Sequence, residues 1–226
     1  MKRFMLVACA TLFAIETAST SFAADLPKPS YKAPVYVAPQ FSWTGFYAGI
    51  NGGYGWGKSN WSNTGLGVST GDFNTKGAIA GGTLGYNRQT GSWVWGIEAD
   101  LDYSWIKGST NTNCGSPCET DNNWLATARG RLGYARDRWL PYLTGGAAYG
   151  NIKVPSTPPF LSSDKSKFGW TAGAGVEYAF LGAWSVKLEY LYVDLGKVSC
   201  AATSCGLPAD VSFNANIVRA GLNYRF

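Results

Sequence analysis

The chain between residues 43 and 226 is organised by a period of two. Apolar residues alternate with polar or small residues in eight segments, and no segment has a convincing helical periodicity. Such alternation is typical of β-strands that present one apolar face. The segments cover residues 43–56, 78–86, 93–105, 124–134, 139–149, 170–180, 184–192 and 218–226.

The connections between these segments alternate in length. Short polar turns are predicted at residues 87–92, 136–138 and 181–183, and long polar loops at residues 57–75, 108–122, 153–166 and 196–210. An even number of strands, with short turns at one end and long loops at the other, indicates a transmembrane β-barrel. Closure of the sheet lets every backbone polar group find a partner within lipid. We therefore predict an all-β fold, an eight-stranded antiparallel up-and-down transmembrane β-barrel over residues 43–226 with four long extracellular loops.

A soluble eight-stranded barrel, such as a lipocalin, would have the same strand count with its apolar face inward. Two features favour a membrane barrel over a soluble one. Nine of the ten tryptophans lie in or at the ends of the strand segments, as interfacial aromatic girdles require. The opposite face carries glycines and charges of both signs, which suits a narrow polar interior better than a solvated exterior.

The predicted inward face carries ten charged residues: Glu98, Asp100, Asp102, Arg129, Arg131, Glu177, Lys187, Glu189, Arg219 and Arg225. Unpaired charges in a narrow interior would be costly, so we expect them to be matched across strands. Folding the hairpins about their turns places Glu177 opposite Lys187 and Glu189 opposite Arg219. The same construction places Glu98 opposite Arg131, and Asp100 opposite Arg129.

The three acidic residues of the third segment have an alternative interpretation as metal ligands or catalytic carboxylates. Alternate residues on one strand face lie about 6–7 Å apart, given a rise of about 3.3 Å per residue, which is loose for shared coordination. The facing arginines already offer neutralisation. We therefore expect a salt-bridged plug in the lumen, with no metal, cofactor or catalytic residue.

The N-terminal region is predicted to lie outside the barrel. Lys2 and Arg3, an uncharged run over residues 4–15 and small residues before a cleavage site between Ala23 and Ala24 indicate a secretory signal peptide over residues 1–23. Residues 24–42 contain four prolines and are predicted to be an extended tether.

Four cysteines remain after the predicted cleavage: Cys114, Cys118, Cys200 and Cys205. Their spacing is compatible with a four-thiolate metal site. Export to an oxidising compartment favours disulfides instead, and of the three pairings that four cysteines allow we expect the local one, Cys114 with Cys118 and Cys200 with Cys205.

Composition and motifs argue against an enzyme. The chain has no histidine, and its two methionines fall within the predicted signal peptide. Residues 52–59 match the phosphate-binding pattern G-x-x-x-x-G-K-S, but a loop is predicted to follow where that mechanism needs a helix. The net charge is +5, and the basic residues are interleaved with acidic ones rather than clustered. We therefore expect no nucleic-acid partner.

Several motifs resemble the porin-like outer-membrane immunogenic proteins of alpha-proteobacteria. They are A-D-L-P at residues 24–27, W-T-G-F-Y-A-G at 43–49, W-L-P-Y-L at 139–143 and V-R-A-G-L-N-Y-R-F at 218–226. The last resembles the signal read by the barrel insertion machinery, which implies that role for Val218, Ala220, Leu222, Tyr224 and Phe226. The resemblance implies an OmpA-type barrel in the Gram-negative outer membrane, in a family linked to envelope integrity, host interaction, haemin binding and porin-like activity.

We therefore expect a non-enzymatic barrel with a structural and surface-interaction role, and we favour a monomer over an oligomer. Its expected partners are outer-membrane lipid, the insertion machinery, and host or surface ligands. Two alternatives stay open. A small-solute porin needs a water-filled lumen, whereas eight strands leave an interior that side chains fill. A haemin-binding surface receptor would have only tyrosine or a reduced cysteine as an iron ligand.

Overall fold

The computed structural model describes residues 41–63, 67–112, 118–154, 163–200 and 209–226. Eight antiparallel strands form a closed barrel in sequence order, which confirms the predicted fold class. The strands are β1 Gly45–Asn63, β2 Val68–Thr90, β3 Trp93–Thr110, β4 Cys118–Tyr134, β5 Trp139–Val154, β6 Ser163–Leu181, β7 Trp184–Cys200 and β8 Ala209–Arg225. Pairing of β1 with β8, from Tyr47 with Arg225 to Ser62 with Asp210, closes the ring.

Three tight turns join the strands at the lower end of the barrel, as we call the end that carries the N-terminal side of β1. Gly91 and Gly182 adopt positive φ values of 61° and 52° in the first and third turns. Asp137 adopts a φ of 54° in the second, where Arg136 and Trp139 form an isolated bridge. The predicted short turns are therefore confirmed. The first and third are narrower than expected, at residues 91–92 and 182–183, whereas the second covers residues 135–138.

The strands run much further into the predicted long loops than the sequence suggested. Residues 57–75 were predicted to be a loop, yet β1 and β2 stay paired as far as Asn63 and Val68, and the other three long loops are shortened in the same way. These extensions are rich in Ser, Thr, Asn, Asp and Lys and carry no outward apolar face. Cross-strand hydrogen bonds extend the ladder without requiring burial of one face.

The apolar face points outward, as predicted. Exposed side chains include Ile50, Ile97, Leu101, Leu143 and Leu188, all between 55% and 69% exposed. An outward apolar surface this continuous requires lipid around it.

Aromatic side chains on the outer face form two belts. The lower girdle comprises Phe46, Tyr86, Trp93, Tyr134, Trp139, Tyr178, Trp184 and Tyr224, and the upper girdle comprises Trp56, Tyr103, Trp105, Trp124, Tyr149, Phe168, Trp170 and Tyr192. Trp170 and Tyr178 lie eight residues apart on β6. At about 3.3 Å per residue and a tilt of about 40°, this separates the belts by roughly 20 Å, close to the thickness of an apolar membrane band.

Several predicted features lie outside the described residues. These are the signal peptide with its cleavage site between Ala23 and Ala24, the tether as far as residue 40, and both Cys114 and Cys205. Cys118 begins β4 and Cys200 ends β7. The predicted disulfides therefore stay predictions. In the described ranges, no helix has the length and apolar character needed to cross a membrane.

Candidate functional site

A layer of charged side chains crosses the lumen at mid-height. We call it the charged layer, and its nine buried members among the described residues are Glu98, Asp100, Asp102, Arg129, Arg131, Glu177, Lys187, Glu189 and Arg219. They come from β3, β4, β6, β7 and β8, where the period of two points them inward. Nine of the ten charges predicted to face the lumen therefore meet there.

Arg219 of β8 holds the centre of the charged layer. Its Nε donates to Glu189 Oε2 at 2.8 Å, and its Nη1 donates to Asp102 Oδ2 at 3.0 Å. Its Nη2 donates to Asp100 Oδ2 at 2.9 Å. Because Asp100 and Asp102 belong to β3, these bonds cross the lumen rather than joining neighbouring strands. Charge-assisted bonds of this kind are shorter and stronger than neutral ones.

Arg129 of β4 links the same carboxylates from the other side. Its Nη1 donates to Glu189 Oε1 at 2.9 Å and its Nη2 donates to Asp100 Oδ2 at 2.6 Å. The Nη2 group also donates to Glu98, and Lys187 Nζ donates to that glutamate at 3.0 Å. Each of these acids therefore has more than one cationic partner.

Arg131 extends the charged layer toward the lower end. Its Nη2 donates to Glu177 Oε2 at 2.7 Å, and its guanidinium carbon lies 3.9 Å from the centroid of the Tyr142 ring. Tyr142 donates its hydroxyl to Glu189 at 3.1 Å, and Tyr47 donates its own to Glu98 at 2.7 Å. Two tyrosines, missed as inward residues by the charge pattern, thus belong to the network.

Glycines on the neighbouring strands make room for these side chains. A Cβ at Gly53 of β1 would lie 2.6 Å from the Cβ of Arg219, and one at Gly175 of β6 would lie 2.6 Å from the hydroxyl of Tyr142. The large inward side chains of Arg219 and Tyr142 therefore require glycine at the paired position of the neighbouring strand.

Two of the predicted cross-strand pairs are confirmed, and two are wrong. Glu177 lies opposite Lys187, and Glu189 lies opposite Arg219. Glu98 instead lies opposite Arg129, so the predicted partners on β3 and β4 are displaced by two residues. A bulge between Tyr103 and Ile106, which folding about a turn could not anticipate, accounts for one residue of this shift.

Arg225, the tenth predicted interior charge, lies apart from the charged layer. It is half-buried near the lower end, and its guanidinium carbon lies 4.4 Å from the centroid of the Phe41 ring. Among the residues that the structure describes, it forms no ion pair within 4.0 Å. Arg225 is the last residue of β8, so it lies below the charged layer, next to the residues that precede β1.

Apolar side chains fill the lumen above and below the charged layer. We call the upper group the upper cluster, and it comprises Ile79, Ile106, Leu125, Ala148, Leu191, Val193, Leu195, Phe213, Ala215 and Ile217. The lower group, the lower cluster, comprises Trp43, Val94, Ala135, Leu140 and Ala179. Along β3 the order is Val94, then Glu98 to Asp102, then Ile106, so the three layers succeed one another along the axis.

Sequence reasoning missed both apolar clusters because it sought apolar residues on the outward face only. A signal for the upper cluster was present: Leu191, Val193 and Leu195 follow the inward charges of β7 at the same parity. Trp43 was assigned to the first strand. It instead precedes β1 and is buried, with its backbone N–H donating to Gln89 Oε1 at 2.8 Å.

The geometry gives the acidic residues a structural role. Asp100 accepts hydrogen bonds from Arg129, Arg219, Thr83 and Thr127. Within the described ranges, no group of three or more His, Cys, Asp or Glu side chains could hold a metal ion. The phosphate-binding pattern at residues 52–59 lies within β1 rather than before a helix, so it lacks the geometry of that site.

The residues of the proposed insertion signal alternate along β8. Val218, Leu222, Tyr224 and Phe226 are exposed on the outer face, between 37% and 78%. Their outward position is compatible with recognition before the barrel closes, and that role stays a prediction.

A closed eight-stranded barrel with an apolar exterior, two aromatic girdles and a filled lumen defines an integral outer-membrane β-barrel protein. Residues 6–226 match the family model for the outer membrane protein beta-barrel domain. The chain therefore belongs to this family, and it is located in the outer membrane.

Named relatives agree with this assignment. The chain is 38% identical to the 31 kDa outer-membrane immunogenic protein of Brucella melitensis over the full length of both chains. It is 34% identical to the 22 kDa outer membrane protein of Rhizobium leguminosarum bv. viciae, over 84% of this chain and 81% of that protein. The resemblance to alpha-proteobacterial immunogenic proteins is thereby confirmed.

The same architecture is found among solved structures. The outer membrane protein OprG from Pseudomonas aeruginosa aligns with a TM-score of 0.54 at 14% identity, covering 81% of this chain and 97% of that one. This likeness concerns the fold alone.

Proposed function

We propose that this barrel is a structural and surface-display protein of the outer membrane whose lumen is closed to solutes, and that it is not an enzyme. One observation carries the proposal: nine charged side chains fill the lumen at mid-height, between two apolar clusters. A structural protein needs rigidity and tight closure, and both follow from this filling.

The layered filling argues against the small-solute porin. A water-filled channel needs polar walls along its length, whereas the upper cluster places Ile79, Ile106 and Phe213 inside the barrel, each 3% exposed or less. An eight-stranded barrel has an interior just wide enough for side chains to fill, so no second route remains beside them.

The surface-display part rests on the strand extensions. All four hairpins at the upper end continue past the upper girdle, so paired strands extend beyond the membrane there. Ion pairs such as Lys58 with Asp72, whose Nζ and Oδ2 lie 3.5 Å apart, join adjacent strands there. Asn60 donates to the same carboxyl at 3.0 Å and, together with Lys58, lowers the pKa of Asp72.

Conductance measurements on the refolded protein in planar bilayers test closure. We expect no reproducible open steps under conditions where an open porin, reconstituted in parallel, gives them. Regular steps would favour the porin. A shifted Soret band on haem titration, lost when upper-end tyrosines are replaced, would favour the haemin receptor.

Deletion of the gene in its native host tests the structural role. We expect greater sensitivity to detergent with unchanged uptake of small solutes, and restoration by the wild-type gene. A gene that carries Leu188→Arg, which places a charge on the lipid face, is the matched control and should not restore resistance. Impaired solute uptake with normal detergent resistance would contradict the proposal.

A further inference from the structure

Two lysines face outward, directly opposite each other, at the rim of the upper girdle. Lys76 of β2 is paired in register with Lys107 of β3, and both side chains are exposed. Trp56 of β1 lies opposite Lys76 on its other side, and Trp105 precedes Lys107 by two residues on the same face. At about 3.3 Å per residue, Lys107 lies some 6–7 Å beyond Trp105 along the strand.

This arrangement is unfavourable for the barrel by itself. Side chains directly opposite on adjacent strands have Cβ atoms about 5 Å apart, and like charges in such positions destabilise the sheet. Lys107 is balanced in part, because its Nζ lies 3.7 Å from Asp121 Oδ2. Lys76 takes part in no ion pair with any of the described residues.

Another exposed lysine at this end has no lysine opposite it on the neighbouring strands. Lys58 lies opposite Asn74 on β2 and Asn214 on β8, and it is paired with Asp72. Lys76 and Lys107 are therefore a like-charged pair on adjacent strands, which Lys58 and its neighbours are not. A pair of cations with one nearby carboxylate leaves room for one further anion.

We propose that Lys76 and Lys107 together bind the phosphate group of a lipid in the outer leaflet, with Trp56 and Trp105 contacting the start of its acyl chains. Aromatic belts lie at the level of lipid headgroups, so the two ammonium groups just beyond the belt reach the level of phosphates. Lysine binds phosphate as a point charge, and a phosphate between the two lysines converts their repulsion into attraction. The site is independent of whether the lumen conducts.

Lipid A that carries two phosphates, the same lipid after enzymatic dephosphorylation, and inorganic phosphate are the three probes. The exported protein is refolded in a zwitterionic detergent, and lipid binding is measured by native mass spectrometry. We expect retention of the phosphorylated lipid only. Each lysine near an anionic lipid surface contributes roughly a five-fold gain in affinity, so Lys76→Gln with Lys107→Gln should weaken binding about 30-fold.

The control variant removes the same charge elsewhere. Lys58→Gln with Lys197→Gln changes two exposed lysines that lie opposite Asn74, Asn214 and Ser212 rather than opposite another lysine. We expect its lipid affinity to stay within about three-fold of the wild type. Equal losses in both double variants would overturn the site in favour of general charge attraction. Equal binding of inorganic phosphate would overturn the assignment to a lipid.

Charge reversal keeps the proposal testable even if the lipid stabilises folding. Lys76→Glu creates an opposite-charge pair with Lys107, so the lipid-free protein should unfold at a higher urea concentration than the wild type. The same variant should lose the stabilisation that phosphorylated lipid A gives the wild type. A Lys76→Glu protein that keeps the full effect of the lipid would refute the site.

Discussion

Replacing Glu189 by glutamine and Arg219 by methionine probes the centre of the charged layer. The two residues are 1% exposed, and Arg219 Nε donates to Glu189 Oε2 at 2.8 Å. The layer contains five carboxylates and four cations. Each single replacement changes that balance in a different direction, so the two variants should differ.

Glu189→Gln leaves four formal charges of each sign and a side chain of the same shape. It weakens the charged hydrogen bonds from Arg129 and Arg219, and we expect a loss of about 1.5–3 kcal/mol. Arg219→Met leaves Asp100, Asp102 and Glu189 close together with one central cation removed. Breaking buried pairs from one side typically costs about 3–5 kcal/mol, so this variant should be the less stable.

The double variant should lose less stability than the sum of the losses of the two single variants. Removing Arg219 from the wild type leaves the buried charge of Glu189 without this partner, whereas in the double variant residue 189 carries no charge. The measurement is the urea midpoint of protein refolded into lipid vesicles, read from tryptophan fluorescence and the heat-modifiable gel shift. Additivity within about 0.5 kcal/mol would mean that the two residues do not interact. A larger loss from Glu189→Gln than from Arg219→Met would refute the reasoning from charge balance.

Three further predictions concern the lumen wall, the lipid face and the loops. Gly53→Ala should fail to refold, because its Cβ would lie 2.7 Å from the Cα of Arg219. Gly52→Ala should refold normally, since the nearest atom to its Cβ is 3.8 Å away. Equal refolding yields in the gel shift would contradict this prediction. Leu188→Arg places an arginine in the apolar band and should disfavour insertion into vesicles by about 2–4 kcal/mol. Ser109→Arg at the upper end should leave insertion unchanged. Similar insertion of both variants would contradict the membrane topology. Reduction of the cysteines should leave the barrel folded, since short loop closures constrain little, and peptide mapping without reduction should find Cys114 with Cys118 and Cys200 with Cys205; crossed peptides would contradict the local pairing.

Strand number, topology and the orientation of each face could be predicted from the sequence because parity is a strict property of a strand. A slip of one residue turns every side chain to the opposite face, so charges at residues 98, 100 and 102 cannot be reconciled with any other arrangement. Strand ends could not be predicted in the same way. Beyond the membrane neither face must be apolar, and the alternation that marked the strands disappears at residues 57–63 although the ladder continues.

Within the charged layer, only partners on adjacent strands were predictable, and these were correct for β6 with β7 and for β7 with β8. Glu177 and Lys187 flank a tight turn, so counting from its centre gives the correct register. The bonds from Arg219 to Asp100 and Asp102 connect β8 with β3, and their existence depends on barrel diameter and strand stagger rather than on sequence distance. The hydroxyls of Tyr47 and Tyr142 were missed because only charged residues were expected to form the network on the inward face.

The three layers of the lumen differ in what they would exclude. An ion approaching from the upper end meets apolar side chains such as Ile106 and Phe213 first, and it must give up hydration without any charged partner. An apolar solute that passed this cluster would then have to displace the bonds around Arg219. Because the two barriers are separate, we expect the Glu189→Gln with Arg219→Met variant to be less stable yet still free of open conductance steps. Conductance in that variant, absent in the wild type, would instead mean that the charged layer alone closes the barrel.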